Sequence, residues 1–420
     1  MGQPNRKNKW RSHLAFWLFG VCNNIAYSLM LGAAADIINR DKTEIEVAKN
    51  STCLAPSQTR KCDGHQSTGI VLLANILPAL AIQIMAPIFL SHRLSFTCRQ
   101  LIVVGTQAGS LLLVASTKSF GWSLVGVALT SFSSGFGEST LVSLASHYPK
   151  STLMAWSSGT GVAGISGSFL YAALTEPHMA NLSPETTLHL SLFIPLIFAV
   201  AFWVILDHPG GIFALFKKQK LSAAEMIEDT SSNEKMVEAQ RSTSLKERIY
   251  LIKPLLPYMI PLALVYIAEY TINQGITQFL LFDCATGLGL TRESQYRWYS
   301  VLYNMGVFIS RSMVCITNMH SIVILILPIL QTANLVFFYF EALNSYLPHI
   351  GITFLLILFE GLFGGASYIK TINDVHAKVP PDVREFSLAI VTISDSAGIM
   401  IAAFLAIGLH NQLCDQLAMI

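Results

Sequence analysis

Eleven apolar stretches, each long enough to cross a bilayer, run along the 420 residues as six, then a polar interval near 208–253, then five. They read 13–37, 69–91, 100–117, 121–146, 152–175, 189–207, 254–281, 298–317, 320–343, 347–370 and 385–410. A helix needs about 20 mostly apolar residues to traverse hydrocarbon. In that solvent only helices and closed barrels satisfy their own backbone. With 52% hydrophobic and 12% charged residues, the chain reads as an all-α polytopic membrane protein. The first stretch carries Asn23 and Asn24 and is too long and polar for a cleaved signal peptide.

Charge sets the expected orientation. Arg6, Lys7, Lys9 and Arg11 precede the first span, which argues for a cytosolic N-terminus. Counting outward, 92–99, 147–151, 208–253 and 371–384 then face the cytosol and hold most of the remaining Lys and Arg. Two sequons, at Asn50 and Asn181, both fall on the opposite, lumenal side and are candidate glycosylation sites. An odd number of spans places the C-terminus in the lumen as well.

The two runs of spans repeat one another weakly, as transporter halves often do. Span one carries Cys22-Asn23-Asn24-Ile25-Ala26-Tyr27, and span seven Ala268-Glu269-Tyr270-Thr271-Ile272-Asn273. Span four has Gly135-Phe136-Gly137-Glu138-Ser139, and span ten Gly361-Leu362-Phe363-Gly364-Gly365-Ala366-Ser367. Ser157-Ser158-Gly159-Thr160-Gly161 follows the first of these and Ile393-Ser394-Asp395-Ser396-Ala397 the second. Three matches in one order imply a major-facilitator-like plan with the twelfth helix missing. The expected divisions are a cytosolic N-terminus at 1–12, a six-helix bundle at 13–207 and a flexible cytosolic linker at 208–253. A five-helix bundle at 254–410 and a tail at 411–420 complete the chain.

Ionisable groups at bilayer depth are costly and usually face a cavity or a partner. Glu138, Glu269, Glu360 and Asp395 lie within spans, and Arg311 is the one clear cation there. Asn273 stands one turn from Glu269 on the same helical face, and Gln274 likewise follows Tyr270. The functional reading is a polar cavity between the bundles. Its candidate substrate-binding residues are Asn23, Asn24, Tyr27, Glu138, Ser158, Glu269, Tyr270, Asn273, Gln274, Tyr303, Arg311 and Asp395. Arg311 would attract an anionic group, the amides and phenols would bind hydroxyls, and Glu138, Glu269 or Asp395 would carry a proton. The plainer reading is that these groups pair across helix interfaces, with Arg311 locked to an acid and Glu360 turned towards a neighbouring helix. The glycines of span five are first of all packing residues.

Other chemistries lack a signature. No GxSxG, P-loop, HExxH or clustered histidine motif is present, so an enzyme is not expected, nor is a metal or cofactor. A net charge of +2 leaves no nucleic-acid footprint. Cys53 and Cys62 share the first lumenal loop and are the expected disulfide, if one forms there.

Several strings together resemble the battenin family of lysosomal membrane proteins. They are Phe16-Trp17-Leu18-Phe19-Gly20-Val21-Cys22-Asn23-Asn24, Ser133-Ser134-Gly135-Phe136-Gly137-Glu138, Trp156-Ser157-Ser158-Gly159-Thr160-Gly161 and Tyr266 through Gly275. Gln295-Tyr296-Arg297-Trp298-Tyr299 and Arg384-Glu385-Phe386 with Ile393-Ser394-Asp395 extend the likeness from about Trp17 to Cys414. The resemblance implies a late-endosomal and lysosomal membrane protein, distantly similar to equilibrative nucleoside transporters. It also implies a role in clearing glycerophosphodiesters, small anionic remnants of phospholipids. The family's myristoylation-like start is not reproduced, since Arg6 stands where Ser or Thr is needed. Six residues follow Cys414, so a prenylation ending is absent too. The loop at 208–253 is where sorting adaptors would bind, although its acidic dileucine-like run, Glu247 to Ile252, abuts span seven. Lys370 stands where the family leads one to expect a neutral amide. A transporter of nucleosides or basic amino acids, and a non-transporting scaffold in lysosomal trafficking, are the alternatives.

Overall fold

The computed structural model describes residues 9–39, 53–54, 56, 62, 67–89, 94–145, 148, 150–207, 252–313 and 320–418. Among these, all regular structure is helical. The membrane helices are α1 (Lys9–Gly32), α2 (Thr68–Phe89), α3 (Phe96–Ser116), α4 (Phe120–Ala145) and α5 (Lys150–Thr175), then α6 (Pro184–Ile205) and α7 (Lys253–Phe279). The last four are α8 (Arg292–Ser312), α9 (Val323–Asn344), α10 (Ile350–Lys378) and α11 (Pro381–Ala418). Eight of the described helices are long and apolar enough to cross a membrane unaided. The other three, α4, α5 and α8, are richer in glycine, serine and polar side chains.

The internal repeat is a packing repeat. In the first half Gly135 of α4 lies against the backbone of Ala79 on α2, and a Cβ there would come within 2.8 Å of the Ala79 Cα. In the second half Gly361 of α10 lies against the backbone of Tyr303 on α8 in the same way, 3.1 Å from the Val307 nitrogen. Likewise Gly159 of α5 meets the Trp17 backbone on α1, and Gly398 of α11 meets Ala263 on α7. Without apolar driving force in lipid, such close backbone approach is what holds helices together. Phe16, Phe19, Phe198 and Phe202 fill the first half's core, with Phe19 ring centres 5.9 and 6.0 Å from Phe198 and Phe202.

Two expectations are corrected. Cys53 and Cys62 do not bond to each other: Cys53 bonds Cys284, in the turn between α7 and α8, and Cys62 bonds Cys414 near the end of α11. Shared loop membership favoured the short closure, but packing brings both partners from the second half to the same end of the bundle. The supposed tail is the last turns of α11, which stays helical to Ala418. The Cys62–Cys414 bond puts that end of α11 on the same side as the α1–α2 connection, in keeping with an odd number of spans. The turn carrying Cys284 is built on Asp283, whose Oδ1 accepts bonds from the Thr286 nitrogen (2.8 Å), the Thr286 hydroxyl (2.8 Å) and the Ala285 nitrogen (3.0 Å). Those bonds, from Thr286 above all, hold its carboxyl below the usual range. A lowered folded-state value means this turn keeps its stability at moderately acid pH and loses it only as pH falls below the ordinary carboxylate range.

Removing either cysteine of one true pair should destabilise by about 2–5 kcal/mol, and removing both members by no more than one alone. Thermal unfolding of Cys62→Ser, Cys414→Ser and the double variant reads this directly. Equivalence of Cys53→Ser with Cys62→Ser, and no effect of Cys414→Ser, would restore the short loop.

Candidate functional site

The α7 helix changes winding midway, and that change builds the site. After an α-helical run through Thr271, residues Ile272–Ile276 form a π-turn, and Thr277–Phe279 close as a 3₁₀ turn. A single wide turn inside a helix commonly marks a functional position. Gly275 sits where a Cβ would be 3.0 Å from the Ala406 Cα of α11, so the wide turn presses on the neighbouring helix. The Gln274 carbonyl accepts the Thr68 hydroxyl of α2 at 2.5 Å. Asn273 and Gln274 themselves face a cavity of about 150 Å³ between the two halves.

That cavity is lined from four helices. From α1 come Asn24, Tyr27 and Ser28, and from α5 Thr160 with the backbones of Gly161 and Gly164. From α7 come Tyr270, Asn273 and Gln274, and from α8 Ser300, Tyr303, Asn304 and Arg311. Seven of the expected site residues are thus brought together: Asn24, Tyr27, Tyr270, Asn273, Gln274, Tyr303 and Arg311. Tyr270 stacks on Tyr266 at 6.0 Å and meets Tyr303 edge-on at 6.4 Å. Arg311 stands at the last turn of α8, where a cation suits the helix dipole. It does not reach out to solvent: its guanidinium donates to the Tyr266 hydroxyl at 2.9 Å and lies 4.3 Å over the Tyr368 ring.

The remaining candidates lie outside the lining. Asn23 turns to α4 and donates to the Ser134 carbonyl at 3.0 Å. Glu138 accepts from Gln83 of α2 at 2.9 Å. Asp395 accepts from the Ser396 nitrogen at 2.5 Å and lies within electrostatic range of Arg311 and Glu138. Ser158 is exposed, and Thr160 takes the place expected for it. Glu269 is buried behind the cavity wall, where it accepts the Tyr303 hydroxyl and packs on Gly364 of α10. Asn50 lies outside the described residues. Asn181 is exposed in the turn between α5 and α6, with φ of 49°.

A feature not anticipated from the sequence joins the end of α1 to the start of α8. Asp36, in a short helix that continues α1 (Ala34–Ile38), forms a two-pronged ion pair with Arg297 of α8, at 2.5 and 3.0 Å. Both side chains are below a tenth exposed, at 9% and 7%. Tyr171 of α5 donates to the same carboxylate at 2.8 Å, and the Trp298 indole donates to Glu176 at 3.0 Å. All of this lies at the disulfide-bearing end and joins the halves there. Asp36 falls at the end of the first apolar stretch and Arg297 just ahead of the eighth, and neither position marks the other as its partner.

Helices and cavity define the class: a multi-pass membrane protein with a major-facilitator-like transporter fold. The CLN3 protein family matches residues 14–416, and the chain belongs to that family. Battenin of Canis lupus familiaris is 39% identical over 417 residues, covering 96% of this chain and 92% of its own. In fold, the chain is similar to a bacterial homologue of the human lysosomal transporter Spinster, solved inward-facing and occupied. That match has a TM-score of 0.57 and 13% identity over 95% of this chain and 81% of the other. It is also similar to a mutant form of the nucleoside transporter NupG (TM-score 0.56, 11% identity, 97% of each chain). Family membership and a major-facilitator-like fold are what these likenesses show.

Breaking one side of the Asp36–Arg297 pair should cost about 3–5 kcal/mol, because it leaves a buried charge alone. A double-mutant cycle with Asp36→Asn and Arg297→Gln, read by thermal unfolding in detergent, should show the double variant losing less than the sum. Simple additivity would mean that the two side chains do not depend on each other.

Proposed function

We propose that the chain is a lysosomal and late-endosomal exporter of glycerophosphodiesters, working by alternating access of two bundles, 13–207 and 254–410, about the central cavity. The observation that carries this reading is the character of the lining. It holds one cation, Arg311, with amides, phenols and hydroxyls from four helices, and no acidic side chain. A phosphodiester presents a single negative charge, which a guanidinium binds well, and its glycerol and head group present hydroxyls for neutral donors and acceptors. Glu138, Glu269 and Asp395, the acids that would recommend a basic cargo, stay out of the lining, so the anionic cargo is favoured over a basic amino acid.

In this scheme the Asp36–Arg297 pair and its neighbours hold the lumenal end shut, and the conformation described is the one closed to the lumen. Loading from the lumen requires those contacts to part. The N-terminus and the linker at 208–253 face the cytosol, where the linker offers a place for sorting adaptors. Asn50 and Asn181 face the lumen as glycosylation sites.

Uptake of labelled glycerophosphodiesters into proteoliposomes tests the reading. Saturable uptake is expected, and Arg311→Ala should weaken apparent affinity by about ten- to a hundredfold, the effect of one charge-assisted hydrogen bond of about 1.5–3 kcal/mol. Absence of uptake by well-inserted protein would refute it. Deleting residues 222–244 should leave uptake intact. Loss of lysosomal function after that deletion with uptake unchanged would favour the trafficking scaffold.

A further inference from the structure

Glu360 on α10 has no exposed surface, and Glu269 on α7 is 1% exposed. Each has one carboxylate oxygen, Oε2, without a hydrogen-bond partner among the described residues. Asn273 joins the Glu360 carboxylate to the main chain of Glu269. Its amide nitrogen donates to Glu360 Oε1 at 2.9 Å and to the Glu269 carbonyl at 3.1 Å, while the residue also faces the cavity. Glu269 and Glu360 lie within electrostatic range of each other.

The groups around the pair are these. From α8, Tyr303 donates to Glu269 and Arg311 is within its range. From α11, Asp395 is in range of Glu269. From α7, Tyr266 and Tyr270 stand on either side of Glu269 in sequence, and Tyr266 is taken up by Arg311. From α9, Tyr339 and Glu341 are engaged elsewhere, with Gln416 and with the backbone of Tyr346 and Leu347. The one cation in the group is therefore shared by Tyr266, Asp395 and Glu269, and Glu360 has only the neutral amide. A fully desolvated carboxylate without a cation is far more costly than a carboxylic acid. Two neighbouring carboxylates in such a site cannot both be ionised.

We infer that Glu269 and Glu360 form a carboxyl pair holding a proton, and that Asn273 couples its occupancy to cargo in the cavity. The inference rests on the transport reading for its coupling, not for the proton site itself. Glu360, which faces no cargo, is the proton holder. Loss of its proton would leave an anion at Glu360 that pulls harder on the Asn273 amide, and a shift of that amide alters the cavity wall. Entry of a proton from an acidic compartment restores the arrangement described here.

Infrared spectroscopy of the purified protein between pH 5 and 8 reads the proton without reference to cargo, as these pH values are about those spanning lysosome and cytosol. Wild type should show a protonated-carboxyl band that Glu360→Gln lacks. Asn273→Ala, which keeps both acids, should shift that band by removing its hydrogen bond. An identical band in all three proteins would overturn the inference. In proteoliposomes, Glu360→Gln should keep counterflow at equal pH and lose stimulation by an acid gradient. A full gradient response in Glu360→Gln would overturn the coupling. If wild type takes up no glycerophosphodiester but the band still disappears in Glu360→Gln, the cargo reading fails and the proton site stands.

Discussion

Hydrocarbon offers no partner to a polar group, and that constraint governs everything inside this protein. The apolar faces of the helices gain nothing by meeting each other in preference to lipid, so association rests on close backbone contact and on polar groups satisfied within the bundle. Gly135, Gly159, Gly361 and Gly398 supply the first, at equivalent places in the two halves. The polar side chains then have to find partners inside, and cations are scarce. Arg297 is committed to Asp36, and Lys370 and Lys378 to Asp374.

This scarcity separates two kinds of polar feature. Where a charge meets its complement, as at Asp36 and Arg297, the result is a closed and specific junction between halves. Where acids outnumber cations, as around Glu269 and Glu360, neutral donors such as Tyr303 and Asn273 fill the gap and protonation completes it. The cavity lies between the two, lined by groups that bind without demanding a fixed charge. The disulfides add a covalent element at the end where the halves already meet. They tie the α1–α2 connection to the second half at two points, so that segment belongs to both halves at once.

Much of the site was legible because residue type in a membrane span is so restricted. A mid-span Asn, Gln or Glu stands out against Leu and Val, and Asn24, Tyr270, Asn273 and Gln274 do line the cavity. What composition cannot supply is rotation. Ser158 and Thr160 are two residues apart, about 200° around a helix, so only packing against α1 decides which faces inward. The same uncertainty sent Asn23 to α4 while its neighbour Asn24 faces the cavity. The eighth helix begins at Arg292, ahead of its apolar stretch, because Arg297 finds Asp36 and its polar first turns are buried.

Taken alone, the amino-acid order determines that the chain is helical, membrane-spanning and internally repeated. Those properties follow from local hydropathy, a backbone that must satisfy itself in lipid, and glycines at matching positions. Tertiary structure decided which cysteines bond, which acids lack a cation, and which charges join the halves. Each of these is a meeting of residues from different helices: Cys53 is 231 residues from Cys284, and Cys62 is 352 from Cys414. Separation along the chain carries no information about such meetings, because helix packing alone sets which side chains share a face.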